Sequence, residues 1–273
     1  MSAFDLDGYL THLGVVAREP TVDALGELQA AHARCHGFDN VDVLLEQHPG
    51  VELDAVVEKF VGRGRGGYCF EHATLFHAAL LGLGYDVTLR LARVGDPWLA
   101  ARTHLDMVVV LDGDPWLVDP GIGVPPLGPI RLEDGARLEG GVWTHEVRRD
   151  QAGWQLWRER SAGWELMHTT DDEPVRPVDV RMGHHWTSTH PSSHFRSTLT
   201  VAQHGVAADG TAVHTTVSLE GVTERRAGGA AVRRPLDLDE LPGLLTGLGA
   251  GLDESETTRL VRRVGDLLRD RGV

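Results

Sequence analysis

The segment GRGRGGYCFEH, residues 62–72, decides how this chain is read, because it carries two incompatible signals. Gly62, Gly64 and Gly67 stand in the G-x-G-x-x-G spacing of a phosphate-cradling loop, yet Cys69 leaves the glycines at the head of an apolar run, CFEHATLFHAALLGLG. A dinucleotide loop needs a strand before the glycines and a βαβ unit around them. Here the preceding LDAVVEKFV, with Val56, Val57, Phe60 and Val61 at helical spacing, predicts a helix, and no Gly-Lys-Ser/Thr follows. The phosphate reading fails on context. In the other reading Gly66 and Gly67 turn the backbone sharply. Cys69 then falls at a helix start, where the positive dipole end and free N–H groups favour a thiolate. Position alone leaves that reading balanced against an ordinary core thiol.

Working outward, three zones emerge. Residues 1–84 read as helical: TVDALGELQAAHARCH opens on a Thr cap, and the run after Cys69 ends at Gly82 and Gly84. From 85 to 195 the period changes to two. DVTLRLARV alternates, HLDMVVVLDGDPWLVD predicts a hairpin turning at Asp112-Gly113, and WTHEVRRD, WQLWRER and GWELMHT continue the strands, the pattern of a small antiparallel barrel. Residues 196–273 add strands in FRSTLTVAQH and TTVSLEG and then two helices. The last, DESETTRLVRRVGDLLRDRG, is acidic at its start and basic at its end, as the dipole favours.

Composition narrows the function. A formal charge of −14 argues against non-specific binding to nucleic acid or an anionic membrane, so an anionic ligand needs a local basic patch. Lys59 is the sole lysine, which we read as coding bias. MSAFDLDGYL lacks a basic n-region, no uncharged stretch is long enough to span a bilayer, and Cys35 and Cys69 make no ligand-spaced set. A soluble, reduced, cytoplasmic protein is expected, with Cys35 a core thiol.

A thiolate nucleophile needs a base, and the base an orienting group. His104 in RTHLDMVV and Asp119 in WLVDPGIG are the candidates. With the turn at Asp112-Gly113, Asp119 falls opposite Asp106. His104 lies two residues further along on the same face, diagonal to Asp119 at roughly 7–8 Å between Cα atoms. The register also sets Asp106 against Asp119, an awkward like-charge pair. Together Cys69, His104 and Asp119 have the residue types of a thiol acyl-transfer site, cysteine-protease-like in its roles. Backbone N–H groups near Cys69 would hold an oxyanion, worth about 3–4 kcal/mol per donor.

At this point the residues resemble the arylamine N-acetyltransferase family. RGRGGYCFE is similar to that family's Arg-Gly-Gly-x-Cys-Phe-Glu segment, and THLDMVVVLDGDPWLVDPGIG to its His strand and Asp-x-Gly-Phe-Gly segment. GFDNVDVLL is similar to its Phe-Glu-Asn segment, with Asp39 for Glu, and THPSSHFRSTLTVAQ to its Ser-Pro-x-Ser-x-Phe stretch. The resemblance implies an α+β multidomain fold: an N-terminal helical bundle, a central antiparallel β-barrel and a C-terminal α/β lid. It implies a ping-pong reaction in which acetyl-CoA acylates Cys69 and an arylamine or hydrazine takes the acetyl group. The catalytic triad would be Cys69, His104 and Asp119. The substrate contacts would be Phe38, Arg65, Gly66, Gly67, Tyr68, Phe70, Gly121, Ile122 and Gly123. No tightly bound cofactor and no metal are expected; coenzyme A and a small amine are the partners, and a homodimer stays open. Two departures stand out: Ala73 replaces a frequent Asn, and Ile122 replaces the aromatic ring that commonly lines the amine pocket. The family also includes macrolactam-forming amide synthases, which would bring in a carrier protein.

GHHWTSTH, with His184, His185 and His190, reads as a loop rather than a metal site. Arg63, Arg65, Arg90, Arg93 and Arg102 cluster in sequence around the site and together could offset the acidic field for CoA phosphates, although each alone suits surface pairing. Trp98 and Trp116 read as barrel core. A catalytically silent binding protein would leave Cys69 slow to alkylate. A papain-like protease is disfavoured, since its Cys lies near the mature N-terminus.

Overall fold

The computed structural model describes residues 4–272. Its N-terminal part holds five helices and one short strand: α1 (Leu6–Leu13), α2 (Val22–Cys35), β1 (Phe38–Asp39), α3 (Val41–Leu44), α4 (Leu53–Val57) and α5 (Cys69–Gly82). Helix α2 starts where the Thr cap predicts, with the Thr21 side chain accepting from Ala24 N–H at 3.1 Å. Helix α4 runs into a π-turn at residues 58–62, closed by Arg63 N–H donating to the Glu58 carbonyl at 2.8 Å. The wide turn buries Lys59 and Phe60 side by side.

Strands β2 (Asp86–Val94), β3 (Arg102–Leu111), β4 (Asp114–Val118), β5 (Ile130–Arg131), β6 (Arg137–Leu138), β7 (His145–Asp150), β8 (Gly153–Arg160) and β9 (Gly163–Thr170) form an antiparallel sheet in the order β5-β4-β3-β2-β9-β8-β7-β6. It curls into a nearly closed barrel. The hairpin turns at Asp112 and Gly113, both at positive φ (52° and 85°), and pairs Leu111 with Asp114 and Met107 with Val118. A bulge between β2 and β3 pairs Ala92 with His104 but Arg93 with Arg102, so Thr103 is the extra residue.

Helices α6 (Pro177–Thr189) and α7 (His194–Ser197) lead to β10 (Thr200–Val206), β11 (Ala212–Ser218), β12 (Gly221–Arg226) and β13 (Val232–Arg234), then α8 (Leu241–Gly247) and α9 (Glu254–Asp270). Two expectations are corrected here. GHHWTSTH is helical, in α6, whose start is capped by Asp179 accepting from Arg176 N–H at 2.8 Å. Phe195 to Ser197 form a helical turn before the strand rather than its first residues. The five-stranded sheet β1-β10-β11-β12-β13 takes its first member from the N-terminal zone, Phe38 pairing with Ala202. Among the described residues no helix is long and apolar enough to cross a membrane.

Helix α5 is apolar on nearly every face and sits in the largest core, with Phe60, Tyr68, Phe70, Phe76, Leu105 and Met107 fully buried around it. The loop before it is equally confined. Gly67 N–H donates to the Gly37 carbonyl at 3.1 Å, and Asp39 N–H donates to the Gly67 carbonyl at 2.7 Å. A Cβ on Gly66 would stand 2.1 Å from the Gly37 carbonyl oxygen, so only glycine fits there.

Beneath this loop lies a buried lattice of charge. Lys59 Nζ lies 2.7 Å from Glu71 and 2.9 Å from Asp42; Arg65 lies 2.9 Å from Asp42 and 3.1 Å from Glu256. Glu71 also accepts from Tyr68 N–H at 3.1 Å, capping α5. Burial alone would raise the Glu71 pKa, but Lys59 and His48 outweigh it and hold it at about 2. Lys59→Met should therefore strand two buried carboxylates and cost about 3–5 kcal/mol of stability. Urea unfolding measures this; a loss under 1 kcal/mol would mean the lattice is not what holds the loop.

Candidate active site

Three elements converge on one point. Cys69 is the first residue of α5, His104 lies in β3 next to the Thr103 bulge, and Asp119 follows β4. All three are buried, at 3%, 2% and 0% exposure. His104 Nε2 lies 2.8 Å from Asp119 Oδ2, and His104 lines the same cavity as Cys69. The Thr103 carbonyl oxygen is 3.7 Å from Cys69 Sγ. With Nε2 committed to Asp119, Nδ1 is the nitrogen left for the thiol proton. Burial alone would lower the His104 pKa. Attraction and hydrogen bonding to Asp119, then the thiol, outweigh it and raise that pKa well above the ordinary imidazole value. The same pairing, with His168 contributing, holds the Asp119 carboxyl far below its usual range against burial.

The Asp119 side chain is fixed from a second direction. Its Oδ1 accepts from Gly121 N–H at 3.1 Å, closing the turn through Pro120. That turn presses on Cys69, since a Cβ on Gly121 would stand 2.9 Å from His72 Cβ and 3.1 Å from Cys69 Cα.

His168, on β9, was not singled out in the sequence and completes the cluster. Its Nε2 lies 3.0 Å from Asp119 Oδ2 and its Nδ1 3.5 Å from Asp106 Oδ2. One imidazole thus bridges the two carboxylates that the hairpin register forces together. Thr170 donates its hydroxyl to Asp106 as well. Burial raises the Asp106 pKa to about 6, with Asp119 adding to the rise and His168 opposing it.

An apolar cavity of about 540 Å³ opens onto Cys69 and His104. Of the residues expected to contact substrate, Phe38, Ile122 and Gly123 line it. The others do not. Arg65 is held in ion pairs with Asp42 and Glu256, Gly66 and Gly67 pack on Gly37 and Glu71, and Tyr68 is buried with its hydroxyl bonded to His184. Phe70 lies under Gly183, and Gly121 packs behind Cys69. The remaining wall includes Val94 at the end of β2, Leu99 on the strap between β2 and β3, Trp186 on α6 and Phe195 on α7. Trp98 on that strap is 73% exposed and is not barrel core, because the strap stands off the sheet.

The arginines expected around the site are also placed elsewhere. Arg63 pairs with Glu256, Arg102 with Asp171, and Arg90 and Arg93 donate to backbone carbonyls. A different set gathers across the active-site loop: Arg158, Arg160, Arg225, Arg233 and Arg234 line a cleft of about 400 Å³ that shares Gly123 with the catalytic cavity. There Arg158 Nε and Trp143 Nε1 are buried without a hydrogen-bond partner.

The Asp106 carboxyl gives a pH test. It binds its proton more tightly in the folded chain than at the ordinary value of 3.8, so ionisation costs stability above about pH 6. That cost vanishes towards pH 4 and below, where both states are protonated. Asp106→Asn should raise stability at pH 7.5 by roughly 1–3 kcal/mol, with the gain fading as pH falls through 6 towards 4. Chemical denaturation across that range measures it; a gain independent of pH would show that ionisation is not the cause.

Comparison with known proteins agrees with this geometry. A family model described as N-acetyltransferase matches residues 21–246. An arylamine N-acetyltransferase of Mycolicibacterium smegmatis is 37% identical over 211 residues, covering 73% of this chain and 76% of that protein. The solved structure of the arylamine N-acetyltransferase from Mycobacterium abscessus superposes with a TM-score of 0.87 at 31% identity, covering 96% of this chain and 95% of the other. The Mycobacterium marinum arylamine N-acetyltransferase in complex with CoA gives the same TM-score at 30% identity, covering 96% and 99%. The chain is therefore an acyltransferase and belongs to the arylamine N-acetyltransferase family.

Proposed function

We propose that this protein transfers an acetyl group from acetyl-CoA to an arylamine or arylhydrazine through a Cys69 thioester. The observation that carries the proposal is the buried Cys69–His104–Asp119 chain at the floor of an apolar cavity. His104 Nδ1 takes the Cys69 proton as sulfur attacks the thioester carbonyl carbon, and Asp119 stabilises the imidazolium. The negative oxygen faces the N–H groups of Cys69 and Phe70 at the start of α5, which have no carbonyl one turn earlier to bond. Collapse expels the CoA thiolate, which leaves with the His104 proton. In the second half the amine nitrogen attacks the acetyl-Cys69 carbonyl, His104 takes the nitrogen's proton, and the thiolate is restored. Residues 1–84 supply the nucleophile, 85–195 the base and its partner, and 196–273 the lid.

Support for coenzyme A as donor comes from the arginine cleft behind Gly123, which gives an acidic protein a local basic patch beside the catalytic cavity. Support for a flat, apolar acceptor comes from the walls of Phe38, Ile122, Trp186 and Phe195. A second reading, amide synthesis from a carrier-bound acyl chain, draws on Ile122 in place of an aromatic ring. It also draws on a 28% identical relative, the proansamycin X synthase of Amycolatopsis mediterranei, matched over 184 residues.

Intact mass after brief exposure to acetyl-CoA without amine should rise by one acetyl group, discharged by an arylamine and absent in Cys69→Ala. No acetylation, with Cys69 still fast towards iodoacetamide, would favour the carrier-bound donor. Arg225→Ala and Arg233→Ala should each raise KM for acetyl-CoA several-fold while leaving acetylation by p-nitrophenyl acetate, which has no phosphates, unchanged. Equal losses with both donors would remove the cleft from donor binding.

A further inference from the structure

A second group of nitrogen and sulfur donors lies away from the catalytic cavity, where the first two helices end. His12 is in the last turn of α1, Cys35 closes α2, and His36 follows it. One ligand atom from each lies within 4.8 Å of the other two. The three grade inward from the surface: His12 exposed, Cys35 half-buried, His36 buried. The His12 and His36 rings lie 5.2 Å apart between centroids, and Cys35 Sγ is 3.9 Å from the His12 carbonyl oxygen.

The inner member carries an unmet demand. His36 is 3% exposed, and its Nε2 is buried with no hydrogen-bond partner. A buried imidazole nitrogen in that state costs stability unless something satisfies it. A neutral imidazole with a free ring nitrogen is the form that ligates a metal.

We propose that His12, Cys35 and His36 form a binding site for a zinc-class divalent cation. Two imidazoles and a thiolate suit a borderline-soft ion, and a set without a carboxylate does not suit magnesium or calcium. Bonds of about 2.0–2.3 Å draw the donors closer than they now stand. His12, exposed on the last turn of α1, is the ligand free to swing inward. Three protein ligands leave the fourth position to water on the exposed side. Binding forms two N–metal bonds and one S–metal bond and releases the Cys35 proton to solvent. The ion ties α1 to the end of α2, one residue before Gly37, whose carbonyl holds Gly67 of the nucleophile loop.

Cobalt(II) added to the full chain reads this site directly. One equivalent should produce tetrahedral ligand-field bands and thiolate-to-cobalt charge-transfer absorption, bleached by zinc(II). Both should be lost in Cys35→Ser, lost or weakened in His12→Ala, and kept in Cys69→Ala. Zinc should raise Tm in the parent chain and not in Cys35→Ser. His12→Ala changes only an exposed side chain, so it tests the site even if Cys35→Ser folds poorly. No charge-transfer band in the parent chain overturns the proposal. So does a band that survives Cys35→Ser and vanishes in Cys69→Ala, which would place the ion on the catalytic thiol.

Discussion

The glycine loop that leads into Cys69 is held from below by charge taken out of water. Lys59 and Arg65 face Asp42, Glu71 and Glu256, contributed by five separate stretches of the chain, and Asp39 stands beside them. Three cations, Lys59, Arg65 and the part-exposed Arg63, meet three paired carboxylates, so no cation is left over for another negative charge. Asp39 bears that shortage: burial first, then the nearby Asp42 and Glu71, raise its pKa to about 6 although Lys59 opposes the rise. Such a lattice adds little net stability compared with apolar packing. What it does is fix geometry. Glu71 caps α5 at Tyr68, Asp42 lies just past the strand residue that pairs with Gly67, and Glu256 caps α9 while reaching Arg65. The start of α5, and so the thiol, is set by elements from both ends of the chain.

The hairpin was legible in the sequence because its information is local. Alternation along DMVVV and PWLV, with Asp112-Gly113 between them, gives the register, and the register sets Asp106 opposite Asp119 with His104 on the diagonal. The like-charge clash was legible too. Its resolution was not, because His168 reaches the pair from β9, some fifty residues on, through a sheet order that no local pattern encodes. The arginines show the same limit. Those close to the site in sequence turn to acids or carbonyls away from it, whereas those that gather, three of them also paired with Glu165 or Glu240, do so because β8, β12 and β13 line one cleft. GHHWTSTH misled for a different reason: its β-branched and polar residues are weak helix formers, and its cap lies upstream, at Arg176-Pro177 and Asp179.

Asp119 meets three demands that no single contact could. Its Oδ2 faces two imidazoles and its Oδ1 takes the Gly121 N–H, so the carboxylate is held ionised in a site with no water exposure. An anion held that firmly polarises His104 towards imidazolium, the state that general-base chemistry must pass through. The Gly121 bond also sets the turn that carries Ile122 and Gly123 into the cavity wall. Orientation of the base and shape of the cavity are thus two consequences of one carboxylate.

Charge is segregated in this molecule at two length scales. At long range the −14 net charge repels anions, and salt screens that repulsion beyond about 8 Å at physiological strength. At short range the cleft behind Gly123 presents five guanidinium groups, two of them, Arg158 and Arg225, facing the Trp143 ring. An anionic ligand therefore meets a weak distant barrier and a strong local attraction, separated by a single loop from the thiol. The turn after Asp119 carries Ile122 and Gly123 into the cavity wall and Gly123 and Val124 into the arginine cleft, so the surroundings of the thiol and the basic patch are joined through one short run of chain.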